Sequence, residues 1–190
     1  MARRAPRIGE RVMGKTLVLT FIANDRPGLV EKLSKVVTGE GGNWLESRMA
    51  HLAEKFAGIA RVEIPGDKVS SFKDALMALE AEGFRLTVEE ASVDAPSGGT
   101  VLTLDLVGPD HPGIVHDISH CLAERSVSVE EMETDIRQAP MGGGLLFYAQ
   151  ARVRGPASLN EEELRQALEG LTASLMVDIT LREEILSPGQ

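Results

Sequence analysis

The residues best placed to do chemistry are two short turns of matching type. Asn24-Asp25-Arg26-Pro27-Gly28-Leu29 and Pro109-Asp110-His111-Pro112-Gly113-Ile114 each follow a β-rich run and precede a helical one. At such a junction the first main-chain amides of the helix have no partner within it, and the helix dipole adds partial positive charge. A carboxylate is attracted to that point. Gly28 and Gly113 have no Cβ, so a small molecule can approach the main chain closely there. Asp25 or Asp110 can meet an ammonium group, and the two charges together describe a free amino acid better than a nucleotide phosphate. The same residues also have a plain structural use, in which proline pre-sets the first helical turn and aspartate caps it. Both readings stay open at this point.

Elsewhere the reactive residue types fall into weaker patterns. His116 and His120 are one helical turn apart, a spacing that lets two imidazoles share a metal, but Asp117 lies about 100° away and no third ligand presents itself. Cys121 follows His120 directly, and neighbouring helical residues diverge by about 100°, which makes a poor nucleophile and base pair. A half-buried structural thiol is expected. Pro140 to Gly144 is glycine-rich but lacks the lysine and following helix of a phosphate loop, so it reads as a hairpin tip. Glu130, Glu131 and Glu133 read as a solvated edge. No Ser, His and carboxylate set stands out, and no catalytic residue, metal or cofactor is expected.

The elements that position the two turns come from an internal repeat. Leu17 to Val37 matches Leu102 to Leu122 at an offset of 85, and six residues inserted around Ala139 to Gly144 later widen the offset to 91. Each copy opens with a strand, Leu17 to Ile22 or Val101 to Val107, and turns into a helix. The spacing predicts buried stripes of Val30, Leu33, Val36 and Val37, and of Val115, Ile118, Cys121 and Leu122. Gly39, Gly41 and Gly42 then stop the first helix. A hairpin follows, Trp44 to Ala53 with Phe56 to Ile64, or Val127 to Gln138 with Leu145 to Val153. A second helix starts at Ser70/Ser71 or Ser158/Asn160 and buries Phe72, Leu76 and Leu79, or Leu164, Leu168 and Leu171. Asn160 with Glu163 forms a capping box, and Gly83 ends the first copy's helix. Closing strands run Arg85 to Ala91 and Met176 to Arg182. Each copy is therefore βαββαβ, and the fold class is α+β: two ferredoxin-like domains, antiparallel sheets with helices on one face. The expected layout is a basic flexible tail over 1–15, a first domain over 16–92, a linker over 93–100, a second domain over 101–184 and a short tail over 185–190. The sheet edges and helix-free faces predict side-by-side pairing of units or a homodimer.

Composition narrows the function classes. The chain has 190 residues, 43% apolar and 26% charged, with 20 Lys and Arg against 29 Asp and Glu and a formal net charge of −9. That balance repels nucleic-acid backbones and anionic lipid, so direct nucleic-acid binding is not expected, although the basic residues before Lys15 could touch a partner. The single cysteine cannot form an internal disulfide. No apolar run approaches the roughly 20 residues of a membrane span, and the first 15 residues lack the apolar core of a signal peptide. A cytoplasmic protein without membrane contact is expected.

Two βαββαβ units, each opening strand-[Asp-x-Pro-Gly-(Leu/Ile)-Val]-helix, resemble tandem ACT domains over about Thr16 to Arg182. Gly41 to Pro65, with the stand-alone two-unit arrangement, is similar to the branch of that family that represses glycine cleavage genes. The resemblance implies binding of a small amino acid, glycine or serine, between the first turn of one unit and the second strand of a neighbour. Carried over, the ligand-binding residues are Asn24, Asp25, Gly28 and Leu29, then Pro109, Asp110, His111, Gly113 and Ile114, with Asn43 and Trp44 on the second strand. Ser128 and Val129 replace the last two in the second copy, so the sites need not be equivalent. The resemblance also implies a non-catalytic regulator that acts by contacting a transcriptional activator. Two alternatives remain, a regulatory subunit of a metabolic enzyme and a ligand-free interaction module. The two units are expected to leave no stretch for a catalytic domain.

Overall fold

Alternation of apolar and polar residues makes the opening run of each repeat a strand with one buried face. In the computed structural model, which describes residues 14–91 and 98–183, the run becomes β1 (Gly14–Asn24). It is followed by α1 (Leu29–Gly39), β2 (Asn43–Leu52), β3 (Lys55–Pro65), α2 (Val69–Ala78) and β4 (Arg85–Glu90). The second repeat gives β5 (Thr100–Pro109), α3 (Ile114–Ala123), β6 (Ser128–Gln138), β7 (Leu145–Gly155), α4 (Glu161–Leu175) and β8 (Asp178–Glu183). The sheet orders are β2-β3-β1-β4 and β6-β7-β5-β8, with every pairing antiparallel. This is the ferredoxin-like βαββαβ topology twice over. Of the expected basic tail over 1–15, only Gly14 and Lys15 are described, and both belong to β1. Most of the expected linker over 93–100 and all of the tail over 185–190 lie outside the described residues.

Each of the two compact units has its own core. In the first, Leu17, Leu19, Phe21 and Ala23 of β1 meet Ala60, Val62 and Ile64 of β3 on the face that also receives Leu33, Phe72 and Leu76 from the helices. The helical stripes keep Leu33, Val36 and Val37, and Ile118, Cys121 and Leu122, on the core side as predicted, and differ only in their first member. Leu29 and Ile114 are each 3% exposed, whereas Val30 is 43% exposed and Val115 44%. Leu29 and Ile114 precede Leu33 and Ile118 by four residues and so share their face, whereas Val30 and Val115 lie about 100° further round, toward solvent.

Caps also depart from expectation in part. Asn160 accepts the Glu163 amide at 3.3 Å, as predicted for α4. No side chain caps α2, whose N-cap is Lys68; Ser71 sits inside the helix and donates to the Lys68 carbonyl at 3.0 Å. α2 tightens into a 3-10 turn over Leu79–Glu82 and stops at Gly83, where φ is 91°. Both hairpins carry a bulge at the matching place, between Trp44 and Glu46 and between Val129 and Glu131.

Candidate functional site

The two Asp-x-Pro-Gly turns are built alike. β1 ends at Asn24 opposite Lys55, whose ammonium donates to Asn24 Oδ1. The next amide, Asp25 N, donates to the Glu54 carbonyl at 2.9 Å and ties the turn to the tip of the β2–β3 hairpin. In the second unit Asp110 N donates to the Leu145 carbonyl at 3.0 Å in the same way. The chain then passes through Gly28 (φ 92°) or Gly113 (φ 104°), a left-handed backbone that favours glycine. Each glycine carbonyl accepts the first helical hydrogen bond, from Lys32 N and Asp117 N, both at 3.0 Å.

Neither α1 nor α3 has a side-chain cap. The aspartate-cap reading is therefore not what the fold builds. Instead the Asp25 carboxylate lies 3.6 Å from His51 Nε2. Among the described residues no polypeptide acceptor meets the amides of Gly28 and Leu29 or of Gly113 and Ile114. The Leu29 and Ile114 side chains are in the core, so each can offer a ligand only its main chain.

Arg26 and His111, the variable residues of the two turns, are engaged with main chain. Arg26 donates to the Glu82 carbonyl at 2.6 Å, and Lys32 pairs with the Glu82 carboxylate, holding it below the usual carboxylate range. His111 Nδ1 lies 3.1 Å from the Pro112 carbonyl and Nε2 lies 3.0 Å from that of Leu175. These carbonyls, Pro112 first, raise the His111 pKa above its ordinary value of 6.5. Only the imidazolium can donate from both nitrogens. Though expected among the ligand residues, His111 has both ring nitrogens already committed.

Asn43 and Trp44 do not join the turn of their own unit. They stand opposite Glu63 and Val62, whereas Asn24 stands opposite Lys55, the partner of Leu52 at the far end of β2. At about 3.3 Å per residue the separation is roughly 30 Å. Trp44 is half-buried against the first core, and Asn43 is exposed. Ser128 and Val129 hold the corresponding place in β6.

What the structure does bring beside the first turn was not among the sequence-predicted residues. A cleft of about 370 Å³ opens next to Asn24, with Lys55, Glu80, Phe84 and Arg85 in its walls. The signal for Lys55 lay in the hairpin register, which sets the first residue of β3 against the last of β1. Arg85 needed the position of β4, and that depends on where α2 stops. A second, shallower groove of about 500 Å³ lies on the helix-free face of the second sheet, with Asp105, Glu133, Tyr148 and Asp178 around it.

The weaker patterns resolve as follows. The His116 and His120 rings stack with centroids 6.1 Å apart on an exposed helix face, and His120 pairs with Glu124 at 3.4 Å. Among the described residues no three His, Cys, Asp or Glu side chains come together in a metal-binding group. Cys121 is buried, and burial pushes its thiol pKa up, away from nucleophilic use. Glu130, Glu131 and Glu133 are exposed on the edge strand β6, as expected, and Glu130 also bridges Arg152 and Arg154. No helix among the described residues is long and apolar enough to cross a membrane.

Two βαββαβ units, each with an Asp-x-Pro-Gly turn between its first strand and helix, match the ACT domain over residues 15–89 and 100–182. The chain belongs to the ACT-domain family. It is an ACT-domain regulatory protein, similar to the glycine cleavage system transcriptional repressors of Escherichia coli K12 and Shigella flexneri. Each is 23% identical over 163 residues, 84% of this chain and 85% of the relative. Among solved structures, an unknown protein from Galdieria sulphuraria superposes with a TM-score of 0.82 at 29% identity, covering 91% of this chain and all of that one. A structure provisionally named as a glycine cleavage system transcriptional repressor gives 0.67 at 18% identity, over 90% of this chain and 98% of the other. At that identity the likeness shows the shared ACT fold alone.

Proposed function

We propose that this ACT-domain protein senses a small free amino acid and relays its presence to a transcriptional activator, without catalysing a reaction. The observation that carries the reading is the pair of uncapped helix N-termini at Gly28 and Gly113. Each combines uncommitted amides, the positive end of a helix dipole and an aspartate three residues upstream. The carboxylate of the effector docks on the main chain of Gly28 and Leu29, or of Gly113 and Ile114, and its ammonium faces Asp25 or Asp110. Asn24, Pro109 and His111 shape the surroundings. Asn43 and Trp44, distant from their own turn, complete a site only from a neighbouring unit, which makes a homodimer part of the proposal. Glycine or serine is the proposed effector, supported by the similarity to the glycine cleavage repressors. A net charge of −9 argues for action through a protein partner in the cytoplasm rather than on DNA.

The test is a calorimetric and thermal-shift panel of the common amino acids on the full chain. A saturating effector at 100 times its Kd adds about 2.7 kcal/mol to stability, a shift that is easily read. Silence toward every amino acid at millimolar concentration would reduce the turns to scaffolding and the protein to an interaction module. Unaided DNA binding with a steep salt dependence would overturn the partner-mediated route.

A further inference from the structure

We propose that the first ACT unit holds a carboxylate-binding subsite, formed by Lys55 and Arg85 beside Asn24, that the second unit lacks. The proposal deepens the amino-acid reading and rests on it for the identity of the physiological ligand.

Strand register brings the two cations together. Asn24 faces Lys55 across the β1–β3 ladder, and Ile22 faces Arg85 across the β1–β4 ladder, so both cationic residues flank the last turn of β1. The cleft between them, about 370 Å³, falls at the small end of the roughly 300–1,000 Å³ typical of small-molecule sites. Its wall includes Phe84, which is 2% exposed and belongs to the first core, so that side of the cleft is fixed.

The charges in the cleft are poorly compensated. Arg85 and Glu80 have no ion-pair partner among the described residues, and Lys55 donates only to the neutral amide of Asn24. Two cations against one carboxylate leave a net positive charge in a concave setting, which concentrates anions. A guanidinium supplies the planar two-point geometry that a carboxylate matches. Glu80 supplies the complement for an ammonium, so the cleft offers a zwitterion's carboxylate a second place beside the Gly28 turn and separate from it.

Duplication makes the comparison internal. In the second unit Pro109 faces Leu146 and Val107 faces Asp178, at the register positions held in the first by Asn24 with Lys55 and Ile22 with Arg85. One cation has become an aliphatic residue and the other an acid. The second unit has no cationic pair at the corresponding place.

The experiment is an NMR titration of the full-length chain with sodium acetate, glycine and L-serine, following the amides of Phe84 and Arg85 and those around Gly113. It is repeated on Lys55→Met and on Arg85→Asp, which gives the first unit the residue that the second carries. The subsite predicts saturable shifts at Phe84 and Arg85 with acetate, weakened about tenfold or more in Arg85→Asp and reduced in Lys55→Met. Spectra of both variants should match the wild type away from the cleft, which separates lost binding from lost fold. Shifts confined to the Gly113 turn, or unchanged affinity in both variants, would overturn the subsite while leaving the effector reading in place if glycine or serine still binds. Acetate binding in the cleft with no response to either amino acid would keep the subsite and remove that effector assignment. No acetate response at Phe84 and Arg85 sinks the subsite outright.

Discussion

Arg26 and His111 occupy matching positions in the two units, and each donates to a carbonyl at the end of its unit's second helix. Arg26 reaches the Glu82 oxygen at 2.6 Å and His111 reaches that of Leu175 at 3.0 Å. A cation at a helix C-terminus is favourable, and here it also locks the Asp-x-Pro-Gly turn to the helix that leads into β4 or β8. The units differ in what pH does to the clamp, because a guanidinium stays charged and an imidazole does not.

Folding raises the His111 pKa above its ordinary 6.5 through the carbonyls of Pro112 and Leu175. A raised pKa means that protonation stabilises the folded form: the contribution is full below the unfolded value and is lost as pH rises through the folded one. Hydrogen exchange at the β8 amides should therefore quicken beyond the intrinsic chemical rate as pH rises above the ordinary histidine value and through the raised one. The His111→Gln variant should lose this extra dependence, and the β4 amides of the first unit should not show it. Equal pH dependence in wild type and variant would remove the clamp from the account.

Gly28 and Gly113 make a second test, in which backbone strain can be separated from crowding. A Cβ added at Gly28 would meet nothing nearer than Glu31 Oε2 at 3.9 Å, and one at Gly113 nothing nearer than Asp117 Oδ2 at 3.8 Å. Substitution there costs conformation rather than space, about 1–2 kcal/mol for a β-carbon in the left-handed region. Asparagine tolerates that region better than a β-branched residue. Urea unfolding should rank Gly28→Asn above Gly28→Val in stability. Gly58, by contrast, has ordinary backbone, and its Cβ would lie 2.8 Å from the Arg48 carbonyl, so Gly58→Ala should destabilise by crowding alone. Equal losses for Asn and Val at Gly28 would point to a steric cause.

The third prediction follows from which residue starts each first helix. Leu29→Ala should cost about 2–5 kcal/mol because it empties a core position, while Val30→Ala should stay within about 0.5 kcal/mol. Chemical denaturation of the two variants decides it; a larger loss at Val30 would contradict the observed burial of Leu29 and exposure of Val30.

That pair also marks where the sequence was legible. The repeat, the strand alternation and the Pro-Gly punctuation give the topology, because they are local patterns that tertiary context reinforces. The stripe of α1 was misjudged only at its first member, where Leu29 and Val30 are both apolar and adjacent and Leu29 is the buried one. The two turns were legible as a candidate site for the same local reason. Lys55, Arg85 and the Arg26–Glu82 contact were not, since each is created by pairing between segments remote in sequence. Trp44 was carried over by resemblance as part of a neighbouring unit's second strand, and the register places it far from the turn of its own unit.

Glu130 shows how one bulge came to differ between the copies. It lies where β6 carries an extra residue, and its carboxylate bridges Arg152 and Arg154; Leu45 takes the same bulge position in β2. A bulge re-aims its extra side chain, and in the second unit the re-aimed acid ties neighbouring arginines on β7 to the edge strand. The hydrogen bond from Arg154, aided by Arg152, holds the Glu130 carboxyl below the ordinary 4.5. A lowered pKa stabilises the fold above the unfolded value, and that contribution disappears as pH falls through the folded one. Glu130→Gln should cost about 1 kcal/mol at neutral pH and flatten the acid limb of the second unit's stability curve. Leu45→Ala should change stability by less than about 0.5 kcal/mol and leave that limb untouched. Chemical denaturation across the acid range reads both, and an acid limb unchanged by Glu130→Gln would show that the bridge contributes nothing to holding β6 in the sheet.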